Sequence, residues 1–384
     1  MIKKYFSWKL IVCCVSALLL FNCKRPYDPK LKPTQSNFLV VEGFIDGAAL
    51  TKIKLSRTRV LSAGDTAAVR NELNANVSIE DDHQNIYLLK DAGNGIYANT
   101  NIFNLNPSYQ YRLHILTSNG KEYFSDFVPF KQSPPIDTIG WKTKNEGVQV
   151  FVNTHDESNT TKYYRWEYDE TWEIHSAYNT YLKYDTLHNA VVFRNDQVHV
   201  CWRSDSFNKI LLGSSAKLTS DVIDQMPLVF IEPHDRKLSV LYSIRVKQFA
   251  LDLKGYNYWE AMKNNSENVG SIFDPQPNQT VGNIHCVSDP SETVVGYIGA
   301  GNSFNKRVFI SNDLMPLSWN GFPDCPVIAV PNIKDSLLFY FNEGGMDPIS
   351  ETTLASGALV YSASFADCVD CTTSGTNIKP VFWP

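Results

Sequence analysis

At 384 residues the chain is too long for one ordinary core, since domains cluster near roughly 100 to 150 residues, and two or three domains are expected. Hydrophobic residues at 43% and charged residues at 20% lie close to globular averages and exclude both wholesale disorder and a polytopic membrane protein. A formal net charge of -5 offers no basic surface for phosphate, so no nucleic-acid partner is expected.

The first predicted element is a leader. Lys3, Lys4 and Lys9 precede an apolar run from Leu10 to Phe21, which matches the h-region of a signal peptide and falls short of the roughly 20 residues that span a bilayer. The run ends at Leu20-Phe21-Asn22-Cys23, where a cysteine directly after an apolar stretch resembles the bacterial lipobox, although Asn22 stands where a small residue is usual. Residues 1–22 are therefore expected to be removed as a signal peptide, leaving Cys23 lipidated and the protein tied to a membrane by that anchor. Taking Lys3, Lys4 and Lys9 from 35 basic residues leaves 32 against 40 acidic ones, a net charge of -8. Residues 23–36 carry three prolines and no hydrophobic periodicity, and read as an extended tether.

From Phe38 onward short strand-like runs alternate with turn signals: FLVVEGFI, LTKIKLS, NANVSIED, IYLLK, GIYANT, YQYRLHIL and EYFSDFVPF. That spacing predicts a seven-strand, Ig-like β-sandwich over residues 37–132. The Asn94-Gly95 and Asn119-Gly120 steps favour the positive φ of tight hairpins. Within YQYRLHIL, Tyr109, Tyr111, Leu113 and Ile115 fall on one face and read as core. Ser133-Pro134-Pro135 breaks the pattern, because paired prolines favour linkers, and places a domain boundary there.

Residues 133–384 then form a larger, mainly β domain with a C-terminal tail. Its predicted strands include Ile139–Trp141, Val148–Thr154 and the segment KYYRWEYDETWE, in which Tyr164, Trp166, Tyr168 and Trp172 alternate with Arg165, Glu167, Asp169 and Glu173. One helix is predicted over Lys254–Glu267, with Tyr258, Trp259 and Met262 on one face and Gly270 placed to end it. Later strands are expected at Leu238–Leu251, Val281–Val287, Thr293–Gly299 and Arg307–Ser311. The fold class is thus mainly β: two tandem Ig-like β-sandwich domains, with one helix in the second.

Five cysteines follow Cys23: Cys201, Cys286, Cys325, Cys368 and Cys371. In an oxidising envelope compartment they are expected to form disulfides, although five cannot all pair within one chain. Cys201 in VHVCW and Cys286 in NIHCVS are predicted to bond across the second domain. Cys325 is expected to bond Cys368 or Cys371, leaving one of that trio free. Cys368-Val-Asp-Cys371 also has the spacing of a redox dithiol or half a zinc site, but neither a thioredoxin-like βαβ pattern nor a second such pair accompanies it.

Ser214-Ser215-Ala216-Lys217 contains Ser-x-x-Lys without its companion signatures. His-Glu-x-x-His, Gly-x-Ser-x-Gly, the Walker loop and Gly-x-Gly-x-x-Gly are absent, so no cofactor and no metal are expected. The acidic set Glu167, Asp169, Glu170 and Glu173 has the chemistry for glycoside hydrolysis or Ca²⁺ binding, but reads first as an exposed strand face. Trp166 and Trp172 are either core or part of a stacking platform for a ligand. Ile272-Phe273, apolar within the Pro-rich SIFDPQP after the helix, is a candidate partner contact.

The cysteine after the leader followed by PYDP (Pro26 to Pro29), with LVVEGFI, LSRT, SPPID, YYRWEYDETWE, LGSS, SIFDPQP and GNIHCVSDP, resembles a lipoprotein family of the Bacteroidota known as domain of unknown function 4249. The resemblance covers nearly the whole chain. It implies an outer-membrane lipoprotein encoded beside a TonB-dependent transporter, and brings neither a ligand nor catalytic residues. The function expected from it is that of a non-enzymatic accessory or substrate-binding partner of such a transporter in nutrient uptake. An envelope hydrolase acting on glycans or peptides, and an adhesive or structural surface module, are the alternatives. Lys24-Arg25-Pro26 after Cys23, in place of the acidic run that resembles a surface-export signal, leaves the leaflet open.

Overall fold

Strands make up most of the regular structure in the computed structural model, which describes residues 37–58, 70–144, 147–206, 209–267, 282–316, 319 and 324–384. The predicted leader, Cys23, the predicted tether and the candidate contacts Ile272 and Phe273 lie outside the described residues. Nine strands precede Ser133: β1 (Leu39–Asp46), β2 (Lys52–Arg57), β3 (Arg70–Asn71), β4 (Asn76–Asp81), β5 (Ile86–Asp91), β6 (Ile96–Ala98), β7 (Gln110–Leu116), β8 (Glu122–Ser125) and β9 (Val128–Gln132). Nine more follow: β10 (Ile136–Lys144), β11 (Gly147–His155), β12 (Tyr163–His175), β13 (Leu182–Asp185), β14 (Ala190–Phe193), β15 (Val200–Ser206), β16 (Leu211–Ser214), β17 (Val222–Ile231) and β18 (Leu241–Leu251). Helix α1 (Leu253–Glu267) leads to β19 (Ile284–Cys286), β20 (Val294–Val295), β21 (Ala300–Asn302) and β22 (Phe304–Ser311), and then to β23 (Ile328–Pro331), β24 (Met346–Thr353) and β25 (Leu359–Phe365).

The first sheet closes on itself. Its order β7-β4-β5-β6-β2-β1-β21-β9 returns to β7 where Gln110 lies opposite Pro129 and Tyr111 opposite Val128. The result is an eight-stranded closed barrel in place of the predicted seven-strand sandwich. The closing piece comes from far along the chain: β21 runs parallel to both β1 and β9 and fills the gap between them. Closure pairs edges that an open sheet would expose. Period-two alternation does the rest, with Tyr111, Leu113 and Ile115 of β7 fully buried beside Leu39, Ile53 and Ile79, and Tyr109 half-buried against them. The predicted hairpin at Asn94-Gly95 is present, both residues having positive φ.

The barrel core draws on chain from both sides of Ser133. Ile284, Cys286, Val294, Ile298 and Ala300 return to the barrel core, and β19 extends its sheet by pairing with β8. Ser133-Pro134-Pro135 is tied down rather than left as a linker. Ser133 Oγ donates to the Gln248 carbonyl at 3.1 Å, and Gln248 Nε2 donates to the Pro134 carbonyl at 2.8 Å.

Two further sheets, β10-β11-β17 and β15-β12-β18-β22 with β16 beside β12, share a second core. Val148, Val150 and Val152 from one sheet meet Trp166, Tyr168, Ile244 and Val246 from the other. Trp166 and Trp172 are 1% and 5% exposed, so the stacking-platform reading gives way to core packing. Trp166 Nε1 donates to Gln248 Oε1 at 2.8 Å, which supplies the partner a buried indole needs. The predicted helix forms as α1, with Tyr258 buried and Trp259 and Met262 half-buried.

A third, smaller core joins the β13–β14 hairpin to the sheet β23-β25-β24 through Leu182, Val330, Phe341, Tyr361 and Ala363. Both disulfides tie down the C-terminal segment. Cys201 bonds Cys371, and Cys325 bonds Cys368. The predicted Cys201–Cys286 bridge is therefore wrong: β19 places Cys286 in the barrel core as a free, buried thiol, while Cys201 on β15 meets the tail. The cysteine left over is Cys286, not one of the trio. Cys368 and Cys371 bond outward to different elements, so their Cys-x-x-Cys spacing is no dithiol.

Candidate functional site

The outer face of the second core's larger sheet is where the charged residues of β12 emerge. With Tyr164, Trp166 and Tyr168 turned inward, period-two alternation turns Arg165, Glu167 and Asp169 outward. Antiparallel register sets Arg165 opposite Phe249, Glu167 opposite Lys247 and Asp169 opposite Arg245 on β18. The β1–β2 hairpin and α1 enclose this face into a groove of about 530 Å³, lined by Glu42, Phe44, Leu50 and Lys52 on the barrel side and by Trp259 of α1.

All of its charged side chains but Lys52 are held in partnerships. Arg165 has aromatic rings on two sides, its guanidinium carbon 4.5 Å from the Phe249 centroid and 4.4 Å from that of Trp259. Its Nη1 donates to Glu167 Oε1 at 2.6 Å. Lys247 Nζ lies 2.9 Å from Asp46 Oδ2 and 5.0 Å from the Phe249 centroid. Asp46 is 1% exposed; burial would raise its pKa, but the charge of Lys247 and hydrogen bonds from Ser303 outweigh that and hold it below the ordinary carboxylate value. Arg245 Nε donates to Asp169 Oδ2 at 2.9 Å. Glu42 pairs with Lys54 at 3.6 Å. Lys52 has no carboxylate partner among the described residues.

A second concavity of about 580 Å³ lies beside Pro134, Pro135, Asp137, His155 and Asp156. Burial works against ionisation of Asp156, yet Ser158 and Thr161 donors hold its pKa far below the usual carboxylate range. Its oxygens accept from the Ser158, Thr160 and Thr161 amides and from two hydroxyls, which makes it the organiser of a turn.

The predicted acidic set is divided between the two faces of the sheet. Glu167 and Asp169 face the groove side, engaged by Arg165 and Arg245, whereas Glu170 is 3% exposed on the core side and accepts from Tyr242 Oη at 2.7 Å and Lys237 Nζ at 2.9 Å. Glu173 accepts from Trp383 Nε1 at 2.8 Å. Ser214 ends strand β16 and a turn follows, so the helical turn that Ser-x-x-Lys chemistry needs is missing. Among the described residues no group of three or more His, Cys, Asp or Glu is placed to hold a metal, and no helix is long and apolar enough to cross a membrane. The sequence pattern found the charged face of β12. It carried no sign that the barrel hairpin and Trp259 would roof it.

A family model described as a domain of unknown function, DUF4249, matches residues 24–307, and the chain belongs to that family. The match takes in every residue that lines the groove. No curated protein matches the chain.

Proposed function

We propose that this member of the DUF4249 family is a non-enzymatic lipoprotein, anchored to the outer membrane through Cys23, that serves as the accessory or ligand-binding partner of a TonB-dependent transporter in nutrient uptake. The observation that carries the reading is the groove between the barrel hairpin and the outer sheet face: roomy enough for a small ligand, with aromatic walls and pre-positioned cations. Its lining carboxylates, Glu167 and Glu42, are paired with Arg165 and Lys54, an arrangement that favours holding a ligand over proton transfer to one. The 14-residue tether expected from Cys23 to Ser36 would let the folded part reach a transporter in the same membrane, spanning up to about 46 Å at roughly 3.3 Å per residue.

Affinity purification from membranes solubilised in mild detergent tests the partnership, with a stoichiometric transporter as the expected companion. Recovery of the lipoprotein alone would count strongly against it. The anchor is tested separately: Cys23→Ala should move the protein into the soluble fraction, and unchanged membrane retention would sink that part of the proposal.

A further inference from the structure

Arg165 is 9% exposed and fixed between two rings, so its guanidinium is a pre-oriented fork. A guanidinium carries five N–H donors, and a carboxylate binds it side-on through Nε and Nη2. The one hydrogen bond this guanidinium makes among the described residues uses Nη1, toward Glu167. Nε is buried and has no acceptor. Four of its five donors, the buried Nε among them, are thus without an acceptor among the described residues.

Every other charge on the lining is engaged except one. Lys247 is held by Asp46, Arg245 by Asp169, Glu42 by Lys54 and Glu167 by Arg165. Lys52, on the barrel wall, is the remaining cation, and the groove's surplus is positive. Phe44, Leu50 and Trp259 add apolar surface on the same lining. We propose that the groove is a receptor for a small carboxylate with an apolar body, its carboxylate taken by the Arg165 donors that Glu167 leaves unused and steered by Lys52, its body lying against Phe44, Leu50 and Trp259.

This proposal deepens the ligand-binding side of the function given above and rests on it, but it is tested without the transporter. Full-length chain in mild detergent is titrated calorimetrically with N-acetyl-phenylalanine, which mimics a peptide C-terminus, and with 3-phenylpropionate, a simple aromatic acid, each against its carboxamide. At least one acid should bind, and its amide should bind about tenfold more weakly, the scale of losing a hydrogen bond to a charged group. Whichever acid binds more tightly identifies the source of the carboxylate. Arg165→Gln should weaken that acid about tenfold or more, and the exposed Lys52→Ala about threefold with an unchanged melting temperature, the scale of one surface charge. The Lys52 variant keeps the test decisive if Arg165→Gln fails to fold. An amide that binds as tightly as its acid, no binding by either acid, or Lys52→Ala binding as the unaltered chain does would each overturn the proposal. Transporter recovery combined with any of these would leave the partnership standing and remove only the carboxylate receptor.

Discussion

Replacing Cys201 and Cys371 together by Ser should loosen the C-terminal end of the molecule while leaving the barrel intact. The bridge joins residues 170 apart, and loop entropy alone gives about 5 kcal/mol for a loop of that size. The Cys325–Cys368 bridge, at a separation of 43, gives about 4 kcal/mol by the same relation. Without Cys201–Cys371, the tail is held to β15 by few backbone contacts: Trp202 and Thr376 exchange hydrogen bonds at 2.8 and 2.9 Å, and the Cys371 amide donates to the Val198 carbonyl at 2.8 Å. Each such bond contributes about 1 kcal/mol net, so the three together fall short of what the crosslink supplies. Urea unfolding of the double variant under non-reducing conditions should show an early transition, and limited proteolysis followed by mass spectrometry should find new cuts after residue 371. An unchanged unfolding midpoint with the same protease resistance as the unaltered chain would refute the reasoning. So would peptide mapping of unreduced protein that found Cys286 in a disulfide.

Trp166→Ala should cost about 3–5 kcal/mol, the range for emptying a large aromatic site, and it also strips Gln248 of a buried donor; thermal denaturation measures the loss. Gly301→Val should open the barrel seam, because a Cβ at Gly301 would lie 1.9 Å from the Lys131 carbonyl oxygen; a drop of at least about 1–3 kcal/mol is expected from overpacking, seen as a lowered melting temperature. Asp46→Asn should destabilise the chain at neutral pH by leaving Lys247 without its buried counter-charge. The folded-state pKa of Asp46 lies below its unfolded value, so its contribution is fully present above about pH 4 and is lost as pH falls through the lower folded value. The stability gap between unaltered chain and Asp46→Asn should therefore shrink in acid titrations, and a gap constant from neutral pH down to pH 2 would contradict the assignment.

What the sequence made legible was set by local periodicity. YQYRLHIL and KYYRWEYDETWE hold their alternation for seven residues or more, and both appear as strands with the predicted faces inward. The Asn-Gly turns and α1 were equally local signals. Barrel closure was hidden because β21 is three residues long and its neighbour β20 only two, too short for any period to register. That same hidden return misplaced Cys286: its strand reads like any other in the second half of the chain, yet it pairs with β8 at the rim of the barrel sheet. The groove was half legible. Arg165 and Glu167 stood out as a charged face, but Phe44 and Lys52 arrive from the β1–β2 hairpin and Trp259 from α1, a juxtaposition set by tertiary packing alone.

The disulfides sit where packing is thinnest, and that placement has a physical reason. Twenty buried residues make up the barrel core among the described residues, whereas six make up the C-terminal core, too few to offset the conformational entropy of ordering that segment unaided. That small core is also discontinuous, since Leu182 comes from the insertion between β12 and β15 while Val330, Leu337, Phe341, Tyr361 and Ala363 come from the last sixty residues. Closing so long a loop by hydrophobic contact alone is costly, and crosslinks that span it act on that cost directly. The family match ends at residue 307, within β22 and before every strand of the β23-β25-β24 sheet. The tail beyond it is thereby joined to β15 covalently at Cys201, and through Trp383 to Glu173 on β12, so the segment outside the family match is built onto the same sheet whose outer face forms the groove.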